Sequence, residues 1–195
     1  MKAVCFKDLS AQGPVEVCKD LCNRLMAHQA ERGHTRTDIL ARMCFETRLK
    51  PSFEGNPDRF LLVAYDGDIP IGYVFANSEV LTEEVLSARP EWAAEFPEKS
   101  GELYPQNLPV PCRIADLNNL YVLPEYRGEH VGQELMDQAM KWMRSLPDVK
   151  YLFTHVSNGN DPGPFYEKQG FHFSHKVWDG FLDAYILEVK CQNWQ

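Results

Sequence analysis

The chain has 195 residues, 44% hydrophobic and 25% charged, enough to bury one substantial core and long for a minimal domain, so a single domain over 1–195 carrying an insertion is expected. No apolar run approaches the ~18 residues of a membrane span, and 12 glycines with 13 prolines are too few for a collagen-like or linker chain. The net charge of -8 speaks against nucleic acid, which is held by phosphate neutralisation. It suits a cationic small molecule or basic peptide, or simply an acidic soluble surface.

The first residues lack the long apolar stretch of a secretory signal. The six cysteines are scattered apart from Cys18 and Cys22, whose i, i+4 spacing is helical rather than that of a disulfide framework. A reducing, cytoplasmic setting is the expectation, with no membrane partner.

In chain order, residues 14–32 read as a helix: Val15, Cys18, Leu21, Cys22, Leu25 and Met26 recur at three- and four-residue steps, Pro14 suits the first turn and Gly33 the stop. A second helix is expected from about 35, with Thr35 and Asp38 as a capping pair. Ile39, Leu40, Met43, Cys44 and Thr47 would share its inner face and Pro51 would end it. Residues 59–65 form an apolar strand, Asp66-Gly67-Asp68 a hairpin turn, and 69–80 the returning strand with a bulge at Gly72.

Residues 81–111 are irregular, with short helices near 82–87 and 90–95 and prolines at 97, 105, 109 and 111. This reads as an excursion, lid-like or interfacial. Segment 81–105 carries six acidic residues against Arg89 and Lys99, a net of -4.

A strand over 113–122 breaks its alternation at Asn118-Asn119, as a bulge would. A glycine-containing turn leads to a helix with Val131, Leu135, Ala139, Trp142, Met143 and Leu146 on one face. There follow a strand over 150–156, a short helix over about 162–169 closed by Gly170, and a hairpin of 171–178 and 181–189 across Asp179-Gly180.

The chemistry concentrates in Leu120-Tyr121-Val122-Leu123-Pro124-Glu125-Tyr126-Arg127-Gly128-Glu129-His130-Val131-Gly132-Gln133. A strand, a turn with two glycines and the start of an amphipathic helix present unpaired N–H groups and a positive dipole end, which suits a phosphate or pyrophosphate; Arg127 adds a cation. The alternative is a plain tight turn. No Gly-Lys-Ser/Thr follows, and the three glycines of a dinucleotide fingerprint are absent.

Val122, Pro124, Glu125, Tyr126, Arg127, Gly128 and Gly132 resemble the acyl-CoA pyrophosphate loop of the GNAT superfamily of N-acetyltransferases, Arg/Gln-x-x-Gly-x-Gly/Ala. Pro164-Phe165-Tyr166-Glu167-Lys168-Gln169-Gly170-Phe171 resembles its short helix running into the sixth strand. The order of elements from Pro14 to Val189 also matches. The chain departs at His130, where the family usually has a glycine, and in 81–111, which replaces a tight turn between the third and fourth strands, where the acceptor is expected. The resemblance implies an α/β fold: a mixed, mostly antiparallel sheet flanked by helices, with that insertion.

It also implies acetyl transfer from acetyl-CoA, as co-substrate, directly to an amine. The backbone of Arg127, Gly128, Glu129, His130, Val131 and Gly132 would hold the phosphates, and Leu120, Tyr121 and Val122 the pantetheine arm. A bulge would splay the fourth strand from the fifth and free an N–H for the thioester oxygen. Tyr166 matches the general acid that protonates the leaving thiolate; otherwise it is a packing aromatic. Asn158 and Asn160 match a position that contacts the coenzyme.

An alkylammonium costs about 4.6 kcal/mol to neutralise at pH 7, so a base or a water chain should help. Asp116, just before the bulge, is the candidate, against a solvated strand carboxylate. Trp92 and Tyr104 either line the acceptor pocket or pin the insertion. His155, His172 and His175 lie on strands without zinc-finger spacing, and no metal site is expected. The acceptor expected is a small-molecule amine or a lysine or N-terminal amine; a homodimer through 81–111 is a further partner. The rival reading is a non-catalytic coenzyme A sensor or interaction module of the same fold.

Overall fold

Seven strands make one sheet in the order β1-β2-β3-β4-β5-β7-β6: β1 (Val4–Asp8), β2 (Arg59–Asp66), β3 (Ile69–Leu81), β4 (Cys112–Val122), β5 (Val149–Ser157), β6 (His172–Val177) and β7 (Leu182–Glu188). Every neighbouring pair is antiparallel except β4 and β5, which run parallel. A parallel pair needs a crossover, supplied by helix α5 (Val131–Ser145). The computed structural model describes residues 4–89, 91–97, 100–161 and 163–189, with 91 and 92 described by backbone alone.

Strand β1 has no counterpart in the sequence reading. It lies at the sheet edge with four of its five residues exposed, so burial leaves no alternation to read.

The first helical stretch is a 3-10 turn (Val15–Cys18) running into α1 (Lys19–Arg32), with Gly33 as its C-cap. Its inward face is the expected one. Cys18 and Cys22 are fully buried, and burial pushes the Cys18 thiol up to about 12, so these thiols pack rather than react.

The second helix is corrected. Two short helices stand there, α2 (Thr37–Leu40) and α3 (Leu49–Gly55). Arg36, left-handed at φ 50°, occupies the N-cap of α2 without a side-chain cap, and Asp38 binds the Arg36 guanidinium at 3.0 Å. Pro51 lies in the first turn of α3, where its missing N–H has no intrahelical acceptor to lose, so it starts that helix rather than ending one. Thr47 is exposed and accepts from the Cys44 N–H at 2.9 Å.

Helices cover both sheet faces. Tyr73 contacts Cys22 of α1, whereas a Cβ on Gly72 would meet Leu135 of α5; adjacent strand residues point to opposite faces. The β2–β3 irregularity skips Ile71, one residue before the expected position. Gly72 answers a different need: a Cβ there would stand 2.9 Å from the Tyr121 carbonyl oxygen.

The segment between β3 and β4 carries secondary structure of its own. Thr82 Oγ1 accepts from the Val85 N–H at 3.2 Å, capping α4 (Glu83–Ser87), and a 3-10 turn covers Glu91–Glu95. Phe96 packs with Trp178 and Phe181 at ring separations of 5.4 and 5.0 Å. Leu86 and Tyr104 join Ile114 and Phe153 in another apolar cluster. The short helix near the C-terminus is α6 (Gly163–Glu167); Pro162, its expected start, lies outside the described residues.

Gly72→Ala is expected to destabilise by about 1–3 kcal/mol through overpacking against β4, measured as the urea midpoint; an unchanged midpoint would show that the strands have room to separate.

Candidate active site

The site begins where β4 and β5 part. Their ladder ends at the pair Leu117–Thr154. On the other side of β4, Phe75 faces Asn119 and Ala76 faces Leu117, so Asn118 is the extra residue of a bulge, at the expected place. A bulge bends and twists its strand, and β4 beyond it loses β5. The cleft so opened has a volume of about 280 Å³ and is lined by Asn118, Leu120, Thr154, His155, Asn160 and Tyr166, among others.

The Leu123 N–H donates to the Ile71 carbonyl at 2.9 Å. Alternation along the strand then turns the peptide groups of Leu120 and Val122 toward the free edge. The Val122 carbonyl accepts from Arg127 Nε at 3.2 Å, and the guanidinium lies 5.8 Å over the Tyr121 ring. Tyr121 and Val122 bury their side chains, so at this end of the strand Val122 offers the cleft backbone alone, while the Tyr121 peptide groups face β3.

At the open end a 3-10 turn (Pro124–Tyr126) leads into the glycine turn. Tyr126 ties it to the β2–β3 hairpin by donating to Asp66 Oδ2 at 2.7 Å. Gly128 takes φ 84°, which glycine adopts freely. His130 is the N-cap of α5 at φ 62°, without a side-chain cap, so the first N–H groups of the helix need acceptors from elsewhere. The exposed His130 and Glu129 side chains line a depression with Val4 and Phe6 of β1, and Gly132 has only Val122 near a would-be Cβ.

At the closed end, Tyr166 on α6 is half-buried among Phe165, Phe171 and Tyr185. Burial raises the pKa of its phenol, moderated by a hydrogen bond with Thr154. The Thr154 hydroxyl itself donates to the Leu117 carbonyl at 3.1 Å. The Tyr166 oxygen therefore lies beside Thr154, at the last pair of the β4–β5 ladder, and burial favours its protonated form.

Asn158 differs from Asn160. Asn160 lines the cleft and donates to Ser157 Oγ at 2.9 Å. Asn158 is buried, and its amide is spent: Oδ1 accepts from the His34 and Thr35 N–H groups (2.7 and 2.8 Å), and Nδ2 donates to the Thr35 and Phe181 carbonyls (both 3.0 Å). All four hydrogen-bonding positions are used: three tether the α1–α2 loop to the end of β5 and the fourth ties it to the β6–β7 turn. Its side chain has nothing left for a coenzyme, contrary to the expectation.

A second cavity of about 330 Å³ adjoins the cleft, lined by Glu79, Tyr104, Asp116 and Arg48 among others; it shares Asn118 and His155 with the cleft. Asp116 is only 6% exposed, so it is no solvated carboxylate. Tyr104 donates to Asp116 Oδ2 at 2.5 Å and stands 3.3 Å from Glu79 Oε1. The Glu79 pKa is raised by burial and by the negative charge of Asp116. His155 lies with Nε2 3.0 Å from the Leu103 carbonyl and Nδ1 3.5 Å from Asp116 Oδ1.

Glu79 carries no signal in the sequence and His155 is read there only as a strand histidine without metal spacing; the register of β3, β4 and β5 sets both near Asp116. Tyr104 packs residues 103–110 against β4 and β5 and also lines the second cavity. The Trp92 side chain lies outside the described residues. Among the described residues no group of three or more His, Cys, Asp or Glu side chains is placed to hold a metal, and no helix is long and apolar enough to cross a membrane.

The sheet is mixed and opens between its parallel strands, with a glycine turn and a helix N-terminus at the mouth. The acetyltransferase (GNAT) family model matches residues 28–171, and the chain belongs to that family.

Solved structures agree on the fold. PaiA N-acetyltransferase from Thermoplasma acidophilum, in complex with coenzyme A, is 17% identical with a TM-score of 0.61 over 96% of this chain and 99% of that one. NAA60 of Arabidopsis thaliana, in complex with acetyl-CoA, is 13% identical with a TM-score of 0.54 over 96% and 98%. A chain of the NatC complex bound to Gag peptide and CoA is 14% identical with a TM-score of 0.57 over 96% and 99%. Among curated proteins none matches.

Two outcomes check the site. Asn158→Ala removes four buried hydrogen bonds and is expected to cost about 2–4 kcal/mol of stability; a cost below about 0.5 kcal/mol by denaturant titration would contradict the tether. His130→Gly relieves a left-handed backbone and is expected to raise stability by up to about 1 kcal/mol, with coenzyme A affinity equal or better by calorimetry. A large loss of affinity would mean that the imidazole binds the coenzyme.

Proposed function

We propose that the chain transfers an acetyl group from acetyl-CoA directly to a primary amine, with Tyr166 as general acid. The observation that carries this reading is the fork between β4 and β5, with the Tyr166 hydroxyl beside the last pair of the ladder and the glycine turn at its mouth.

Acetyl-CoA would lie along the free edge of β4. Its pyrophosphate would accept from the N–H groups of residues 127–132 and meet the positive end of α5, with Arg127 close by. The side chain of His130, turned toward β1, leaves that approach open. The pantetheine arm would pair with the free peptide groups of Leu120 and the Val122 N–H, and Asn160 would flank the arm. At the bulge a released N–H would polarise the thioester carbonyl.

The amine would enter from the second cavity, whose carboxylates Glu79 and Asp116 favour a cation. Once neutral, it attacks the thioester carbon. The tetrahedral intermediate collapses by breaking the C–S bond; the Tyr166 hydroxyl protonates the departing thiolate, the attacking nitrogen sheds one proton to become the amide, and a proton from solvent restores the Tyr166 hydroxyl. A free thiol titrates near ~8.5 and a phenol near ~10, and burial raises Tyr166 further; the acid is therefore fully protonated at neutral pH and ready to donate. Asp116 stands on the amine side as part of the base machinery. The acceptor class proposed is a small-molecule, lysine or N-terminal amine.

Tyr166→Phe is expected to lower kcat by roughly 10² to 10⁴ while leaving coenzyme A affinity nearly unchanged. Thiol release against a panel of amines measures the first and calorimetry the second. Unchanged turnover would remove Tyr166 from the chemistry; coenzyme A binding without turnover of any amine would instead favour a sensor.

A further inference from the structure

Helix α3 and its two caps lay a polar stripe along the second cavity. Arg48, Ser52 and Asn56 recur at i, i+4 spacing, so they share one side of the helix, and all three line the cavity. Leu49 and Phe53, one position on, are buried in the core. The Ser52 N–H donates to the Arg48 carbonyl at 3.3 Å, and Asn56 Nδ2 donates to the Ser52 carbonyl at 2.7 Å.

A chain of carboxamides fixes which end of the stripe faces the chemistry. Asn77 Nδ2 donates to Asn56 Oδ1 at 3.2 Å, and Asn118 Nδ2 donates to Asn77 Oδ1. A backbone carbonyl can only accept, so the Ser52 carbonyl orients Asn56, which orients Asn77, which orients Asn118. Asn56 is thereby tied to the bulge of β4. More than two turns of helix separate it from Arg48, roughly 12 Å at ~1.5 Å per residue, so Arg48 stands at the far end.

The two ends carry opposite charge. Asp116 pairs with Asn77 in the sheet, and it and Glu79 turn to the Tyr104 hydroxyl, at 2.5 and 3.3 Å. At the far end burial lowers the pKa of the Arg48 guanidinium. The carboxylate that shares its outer side, Glu95, is held by Arg42 at 2.8 Å and by Arg36 at 3.2 Å. A guanidinium has five N–H donors in a planar fork, so Arg48 keeps its protein contacts and still has donors to offer.

We propose that the acceptor is a small amine that also carries a carboxylate, its nitrogen beside Asn118 and its carboxylate on Arg48, which thereby sets substrate choice. The inference rests on the amine transfer proposed above and narrows its acceptor. A cavity of about 330 Å³ is at the small end for ligand pockets and suits one small molecule. A phosphate would bring extra negative charge toward Glu79 and Asp116, whereas a carboxylate brings one charge to one guanidinium. A second ammonium there would be set against Arg48, which rejects it. Because the charged ends are separate, nitrogen and carboxylate belong several bonds apart rather than on one carbon.

The test compares acceptors that differ at the far end. ε-Aminocaproate and hexylamine present the same amine on the same chain, one ending in carboxylate and the other in methyl. γ-Aminobutyrate and butylamine are a shorter pair; putrescine puts an ammonium at the far end, and glycine puts the carboxylate next to the amine. Thiol release from acetyl-CoA gives kcat/KM for each.

The wild type is expected to favour the carboxylate member of at least one pair by about tenfold or more, and to favour it over putrescine and glycine. In Arg48→Gln the ratio within that pair should fall by about tenfold. Arg48→Lys, which keeps the charge without the fork, should retain part of it. Each ratio is taken on one preparation, so a loss of folded protein does not move it.

A wild type that treats both members of each pair alike, or prefers an alkylamine, putrescine or glycine, overturns the assignment without any variant. So does an Arg48→Gln ratio equal to that of the wild type. If no amine is turned over at all, the transfer reading fails, and calorimetry with ε-aminocaproate decides the carboxylate site alone. Binding weakened about tenfold in well-folded Arg48→Gln supports it; equal binding in both, or none in the wild type, overturns it.

Discussion

The active region depends on one backbone constraint: β4 carries one residue more than β3 can pair, at Asn118, and immediately beyond it β4 loses β5. Up to Leu117 and Thr154 the two strands are an ordinary parallel ladder. Past that point one side of β4 has its peptide groups exposed to a cleft. The position of Tyr166 follows from the same spot, because Thr154 links its hydroxyl to the last paired residue of β4. The second cavity reaches the cleft there as well, through Asn118 and His155.

The surroundings keep the fork open. Gly72 lets β3 approach the Tyr121 backbone closely, Tyr126 pins the glycine turn to Asp66, and Asn158 fixes the α1–α2 loop over the end of β5. The insertion forms the far wall. His155 and His175 each place Nε2 3.0 Å from adjacent carbonyls, those of Leu103 and Glu102, and the Asp179 N–H donates to the Ser100 carbonyl at 2.7 Å. Apolar clusters around Phe96 and Tyr104 make it an integral part of the domain.

What was legible in the sequence is what is periodic or locally encoded. The face of α5, the hairpin turn at residues 66–68, the break at Asn118-Asn119 and the glycine turn before α5 all leave a signature within a few residues. Strand β1 left none, because its edge position exposes most of its side chains. Pro51 misled because a proline's effect depends on where in a helix it falls.

At the site, Tyr166 and Asp116 were reachable through motif and strand position. The role of Asn158 was not, since its four partners lie on segments 23 to 124 residues away. Glu79 and His155 are ordinary strand residues until β3, β4 and β5 lie side by side; only then do they flank Asp116. Long-range register, not composition, makes them a group.

Titration calorimetry of the folded chain with acetyl-CoA tests the account most directly. A fork that holds the coenzyme by backbone along β4 and at the start of α5 predicts one saturable site per chain. Well-folded protein that gives no heat with any coenzyme A thioester would contradict it, and the catalytic reading of Tyr166 would fall with it.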